Sequence, residues 1–173
     1  MYFYPYGPFE IPRDKSRISE DKDNKKKFWQ DVEAMEAGLS AACGCYIFTL
    51  RNKAWYIGST NRQGFLGECF TIHKLYTYNK ALSEYTSPGI PRLILIAKIT
   101  ETSRFSKASD GHRDIKYLEK MLIAHSLKRN PDLRNIKDTK ILREMTLPGV
   151  INTPQGEASG KPVQFLKLVL GVR

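Results

Sequence analysis

Cysteine is scarce in this chain of 173 residues, and the three thiols, Cys43, Cys45 and Cys69, are too few and odd in number for a disulfide framework. A zinc site drawing on them and on His73 is a poor fit. The C-x-C spacing is not that of a zinc knuckle, and residues two apart on a strand share a face in ordinary packing. They read as free, buried thiols. Long apolar runs are also missing, since nothing approaches the roughly 18 consecutive apolar residues of a spanning helix. The opening Met-Tyr-Phe-Tyr-Pro-Tyr-Gly-Pro has neither a basic leader nor a continuous apolar stretch, so no secretory signal is expected. These absences predict an intracellular, cytoplasmic protein with no membrane partner.

Acidic residues are the other shortage. Aspartate and glutamate number 18 against 28 lysines and arginines, a formal charge of +10. Such an excess displaces counterions from a phosphate backbone and favours nucleic acid in a salt-dependent way, although anionic membranes and acidic partners attract the same charge. Apolar residues at 41% and charged residues at 27% are ordinary globular proportions. The length suits one domain with extensions.

What is present is concentrated between Gly44 and His73. Residues 45–50 and 55–59 are short runs rich in Tyr, Ile, Phe and Trp, joined by Arg51-Asn52-Lys53-Ala54, which is a β-hairpin signal. Loop length decides which side chains share a face. An even connection would turn Tyr46 and Tyr56 to opposite faces. A three-residue loop or a bulge would set Tyr46 opposite Gly58 and Tyr56 opposite Phe48, making the phenols diagonal neighbours. The second arrangement is predicted, with Gly58 leaving open space over Tyr46 for a substrate. Cross-strand aromatic packing is the competing reading of the same pair.

Gly44-Cys45-Tyr46 followed ten residues later by Tyr56-Ile57-Gly58 resembles the two signature tripeptides of the GIY-YIG nuclease family, and the order, spacing, hairpin setting and following helix carry the resemblance as far as about Asn135. It implies that Tyr46 and Tyr56, held by Gly44 and Gly58, take part in activating the nucleophile. A phenol with a reference pKa near ~10 would need a nearby cation or metal for a base role. Family members carry an arginine early in the next helix, one turn before a histidine. Here His73 matches and Cys69 stands in the arginine's place. Arg62, in the loop after Gly58, is the preferred substitute, and Lys74 the other, since Lys74 points about 100° away from His73 around a helix.

The rest of the chain is read around that hairpin. Residues 1–13 suit an extended arm. The charged stretch ending in Lys25-Lys26-Lys27 is a linker, a solvated helix start or a phosphate-contacting patch. Helices are predicted over 28–42, 65–82 and 113–129, a strand covered on both faces over 92–99, and a loop with Arg104, Lys107 and Arg113 available to phosphate. Glu119 lies on an apolar stripe with Ile115, Leu122 and Ile123, so it must be paired, as with Lys116, or bind a cation. The resemblance makes Glu119 the ligand of one Mg²⁺ or Mn²⁺, and Asn135, with Asn130 second, an active-site asparagine. Either asparagine could be a turn or capping residue instead. The tail carries Gly149, Gly156 and Gly160 in a loose loop, then a short helix over 163–170.

The expected fold is α/β (α+β), a small, mainly antiparallel three-stranded sheet flanked by helices. Three parts are expected: an arm, linker and packing helix over 1–42, a nuclease-like domain over 43–136 and an extension over 137–173. The expected activity is metal-dependent hydrolysis of phosphodiester bonds, in DNA before RNA, with Tyr46, Tyr56, His73, Glu119 and Arg62 or Lys74 at the site. The alternative is a nucleic-acid-binding module on the same scaffold whose catalysis is impaired. A protein partner or a second copy of the chain is a third class of partner.

Overall fold

The computed structural model describes residues 2–108, 111–135, 139–153 and 159–171. The chain divides into two compact units, residues 1–135 and 136–173. The expected boundary at 136/137 and Gly156 lie outside the described residues.

The first unit contains β1 (Tyr2–Glu10), β2 (Arg13–Asp14), β3 (Arg17–Ile18), α1 (Lys22–Met35), β4 (Gly44–Leu50), β5 (Lys53–Thr60), α2 (Phe65–Glu68), α3 (Ile72–Leu82), β6 (Arg92–Ile99) and α4 (Arg113–Arg129). The expected three-stranded sheet is instead four-stranded, antiparallel and ordered β1-β6-β4-β5, with a second small sheet of β2 and β3. The difference comes from the N-terminal arm. Its aromatic residues pair along β6 from Tyr2 opposite Ile99 to Glu10 opposite Arg92, and Pro5 within it is tolerated because β1 is an edge strand.

Strand β6 lies between β1 and β4, and it alternates Leu93, Leu95 and Ala97 into the larger core with Ile94 and Ile96 on the other face. On the first face α1 and α3 contribute Phe28, Trp29, Val32, Leu75 and Tyr78 to a core with Tyr46, Phe48 and Leu95. On the second, Ile115 of α4 packs with Cys43 and Cys45, flanked by Phe3, Ile96, Leu118 and Leu122. The continuous apolar run of β6 is thus explained by cover on both faces.

Two helices depart from their expected bounds. Helix α1 starts at Lys22 because Asp21 caps it, accepting the amides of Asp23 and Asn24. It stops at Met35, and Glu33 then accepts the amides of Gly38 and Ser40 to reverse the chain. The helix expected over 65–82 is broken at residues 69–71, where Thr71 is extended. The break resets the helical phase, so Ile72 and Tyr76 face solvent while Leu75, Tyr78, Ala81 and Leu82 are buried.

In the hairpin, Arg51 and Asn52 take left-handed conformations in a two-residue turn between the paired Leu50 and Lys53. A bulge between Phe48 and Thr49, where Trp55 is the extra residue, then shifts the register. Tyr46 consequently stands opposite Gly58 and Tyr56 opposite Phe48, as the hairpin reading expected. The outer edge of β5 is closed by the chain after α4. The Asn135 side chain accepts the Ile57 amide at 2.9 Å and donates to the Ile57 carbonyl at 2.7 Å, Arg134 N–H donates to the Trp55 carbonyl and Asn130 Nδ2 to that of Ala54.

The second unit holds α5 (Thr139–Glu144) and α6 (Lys161–Leu170). Asn152 Nδ2 lies within hydrogen-bonding distance of the carbonyls of Leu142, Arg143 and Met145 at the end of α5. Helix α6 begins two residues before the expected 163, with proline in its first turn, and ends at the left-handed Gly171.

Both motif glycines are required by close approach. A Cβ on Gly44 would lie 3.0 Å from the Ile96 carbonyl carbon, and one on Gly58 would lie 2.8 Å from Tyr46 Cε1. Gly58→Ala should therefore cost about 1–3 kcal/mol of stability, read as a lower midpoint in urea. Adding Tyr46→Leu should recover part of the loss; a double variant less stable than the sum of both singles would contradict the contact.

Candidate functional site

Tyr46 and Tyr56 meet on the α3 side of the sheet with ring centroids 6.2 Å apart and planes at 40°. The open space expected above Tyr46 is absent, because the Tyr46 ring itself lies against Gly58 and is fully buried. Its hydroxyl donates to Oε1 of Glu68 at 3.3 Å. Burial above all, and then Tyr78, Cys69, Tyr56 and Glu68, push this phenol far above its ordinary pKa. Tyr46 accordingly keeps its proton and serves as a hydrogen-bond donor.

The cation that meets the tyrosines is Lys74. Its ammonium donates to the Tyr56 hydroxyl at 2.7 Å, lies 4.9 Å from the Tyr56 ring centre and pairs with Glu68 Oε1 at 3.4 Å. Burial works against its charge, but the Tyr56 hydrogen bond and the Glu68 carboxylate prevail and raise its pKa above that of an ordinary lysine. His73, the preceding residue on α3, is exposed. The 100° between neighbours on a helix thus sends Lys74 inward and leaves His73 toward solvent. Cys69, in the place of the family's arginine, is wholly buried and offers no charge. Arg62 lines a neighbouring cleft.

That cleft, about 570 Å³, is lined by Ser59, Thr60, Asn61, Arg62, Gln63, Glu68 and Lys116. Strand β5 delivers Ser59 and Thr60, the turn after it supplies Asn61 to Gln63, α2 presents Glu68 and α4 presents Lys116. Glu119 stands beside it, one-fifth exposed. Its Oε2 accepts Ser59 Oγ at 2.8 Å and pairs with Lys116 at 3.3 Å, while Lys116 also donates to Ser59 at 2.9 Å. The carboxylate on the apolar stripe is therefore paired, and its partner is the lysine three residues earlier.

This donor set does not suit a resident Mg²⁺ or Mn²⁺. Glu119 Oε2 already meets an ammonium, and both oxygens of Glu68 are engaged, Oε1 by Tyr46 and Lys74 and Oε2 by Gln63 Nε2 at 2.9 Å. Among the described residues, no group of three or more His, Cys, Asp or Glu side chains is gathered to hold a metal. The three cysteines are buried and free, with Cys43 and Cys45 directed to the carbonyls of Ser106 and Ile115.

The Asn135 side-chain amide bonds both backbone groups of Ile57 and so clamps the edge of β5. Lys26, Lys27, Arg104, Lys107 and Arg113 are exposed and Lys25 is half-buried. They belong to α1, the loop before α4 and the start of α4. That loop is held by Lys98, which pairs with Asp114 at 2.7 Å and donates to His112 Nδ1 at 2.9 Å; His112 in turn donates from Nε2 to the Lys107 carbonyl.

Glu68 and Gln63 are the site residues that motif reading missed. Glu68 is the one carboxylate between Glu36 and Glu84, and a lone acid in so basic a stretch was the available signal. No helix among the described residues is long and apolar enough to cross a membrane. No protein-family model matches the chain, and neither does any curated protein or solved structure.

The Lys98 pair has a pH signature. Burial raises the Asp114 pKa, but the Lys98 hydrogen bond and charge outweigh it, leaving the carboxyl below its usual range. A depressed folded pKa contributes stability above the unfolded value, near ~3.9, and loses it as pH falls through the folded value. Lys98→Met should cost about 2–4 kcal/mol at neutral pH and far less near pH ~2, by urea unfolding at each pH. An equal cost at both would assign Lys98 a packing role instead.

Proposed function

We propose that residues 2–135 form a nucleic-acid-binding module that holds a backbone phosphate in the cleft between the 59–63 segment and α4, on a scaffold of GIY-YIG type without an assembled hydrolytic centre. The observation that carries this reading is the cleft itself. Two basic side chains, Arg62 and Lys116, and the polar Ser59, Thr60, Asn61 and Gln63 converge on it, in a chain of charge +10. Hydroxyls, amides and cations are the groups that contact phosphate oxygens and position a protein on a strand. The clamped state of Tyr46, Lys74 and Glu119 supports binding without turnover, because each of these three already meets a neighbour of complementary charge or hydrogen bonding. DNA is the first candidate and RNA the second.

Endonuclease activity is the second reading. It is favoured by the Lys74 ammonium on the Tyr56 hydroxyl at 2.7 Å, which is the cation a phenol needs before it can accept a proton.

Fluorescence anisotropy with labelled duplex DNA and RNA should show binding that weakens steeply from about 50 mM to about 200 mM salt. Replacing both Arg62 and Lys116 by alanine should weaken it for every sequence and flatten the salt slope by about 2. Plasmid incubated with Mg²⁺ or Mn²⁺ should stay intact. Nicking that disappears in Glu119→Ala and Tyr56→Phe would establish the second reading in place of the first, and a protein that binds no nucleic acid at low salt would end both.

A further inference from the structure

The exposed charged residues of α4 are all basic. The acidic residues of this helix are Asp114 and Glu119, and each is turned to a lysine, Asp114 to Lys98 at 2.7 Å and Glu119 to Lys116 at 3.3 Å. Arg113, Lys116, Lys120 and Lys128 stand in solvent. Tyr117 and Met121 lie among them, 69% and 60% exposed.

A lone exposed aromatic or a solvated row of lysines is ordinary. The arrangement is what points to a ligand. Side chains four apart follow one ridge of a helix. Lys116, Lys120 and Lys128 share one such ridge, and Arg113, Tyr117 and Met121 share the ridge beside it. Successive positions on a ridge are about 6 Å apart along the axis, close to the step between phosphates in an extended strand. The cationic ridge begins at the cleft, because Lys116 is one of the lining residues. The helix is also held in place. Lys98 fixes its first turn through Asp114, and Asn130, just past its end, donates to the Ala54 carbonyl of β5 at 2.7 Å. A ligand therefore meets a platform whose backbone needs little ordering on binding.

We infer that this face of α4 is a track for single-stranded nucleic acid, with phosphates along the Lys116, Lys120 and Lys128 ridge and a base stacked on Tyr117 beside Met121. The inference rests on the nucleic-acid reading of the cleft and adds to it the class of strand that is bound. The cations select a polyanion, and the ring selects an unpaired one. A duplex keeps its base faces inside the stack and shows a protein only groove edges. An unpaired base offers its π-face to an aromatic ring whatever the sequence.

The experiment compares, by fluorescence anisotropy in the full chain, a labelled oligonucleotide with the same oligonucleotide annealed to its complement. The single strand should bind about tenfold more tightly. Tyr117→Ala should weaken single-strand binding about tenfold and abolish that preference, and Tyr117→Phe, which keeps the ring, should retain it. Replacing Lys120 and Lys128 together by alanine should lower the single-strand salt slope by about 1.4, at ~0.7 for each phosphate contact. Equal or tighter binding of the duplex would overturn the inference. So would a Tyr117→Ala protein that keeps the preference, or a Tyr117→Phe protein that loses as much as the alanine variant. Should Tyr117→Ala unfold, the paired lysine variant decides, since an unaltered salt slope also overturns the track. Duplex binding that survives such a result, and still falls when Arg62 and Lys116 are replaced, would leave the cleft reading standing without the track. No binding of either form at low salt would end both.

Discussion

The contact of the Tyr46 ring with the bare backbone of Gly58 is the constraint from which the rest of the first unit follows. It exists only because the bulge at Trp55 shifts the hairpin by one residue; without that shift every side chain of β5 would change face. With it, Tyr46 lies flat over Gly58, fully buried, and its hydroxyl emerges at Glu68 of α2. The same shift places Tyr56 where Lys74 of α3 reaches it. One extra residue in a strand thus fixes where two helices meet the sheet, and the polar turn between β5 and α2 is left to border a cleft.

The hairpin's outer strand would be exposed on its far edge, and an unpaired edge invites association with other strands. The segment after α4 removes that hazard by supplying donors and acceptors in the pattern of a strand, from Asn130, Arg134 and Asn135. This gives Asn135 a physical reason to be asparagine. Only a side-chain amide carries both a donor and an acceptor in the geometry that Ile57 demands. The clamp also ties the end of α4 to β5, while Lys98 ties its start to β6 through Asp114. Helix α4 is therefore fixed at both ends, and Lys116 and Glu119 lie between the two ties.

Much of this was legible in the sequence because it depends on local pattern. Strand β6 and helix α4 occupy residues 92–99 and 113–129 as expected. The side-chain pairing of the hairpin followed from two alternatives, one of which placed the tyrosines together. What escaped was non-local. Nothing in the aromatic arm says that it pairs with a strand some ninety positions away, so the sheet was undercounted. The break after α2 depends on how residues 69–71 cross the core, and one unbroken helix over 65–82 does not anticipate that Ile72 and Tyr76 face solvent. The space above Gly58 was misjudged for a similar reason. A missing side chain reads as room for a ligand, but a neighbouring ring of the same protein can fill it.

Electrostatics gives the site its character, and here charges act by answering one another at short range. Lys74 is partly withdrawn from water, which by itself would weaken its hold on a proton, yet Tyr56 and Glu68 reverse that tendency. Glu119 is likewise partly withdrawn and meets Lys116 and Ser59. The Lys74–Glu68 pair would lose more from removal of one member than it gains from the attraction itself, because the survivor would be left charged and incompletely solvated. An incoming phosphate can therefore draw little on Lys74, and its attraction falls to Arg62 and Lys116, which line the cleft. The tyrosine cluster is packed into the core, and the 59–63 segment with α4 presents the groups that a ligand would meet.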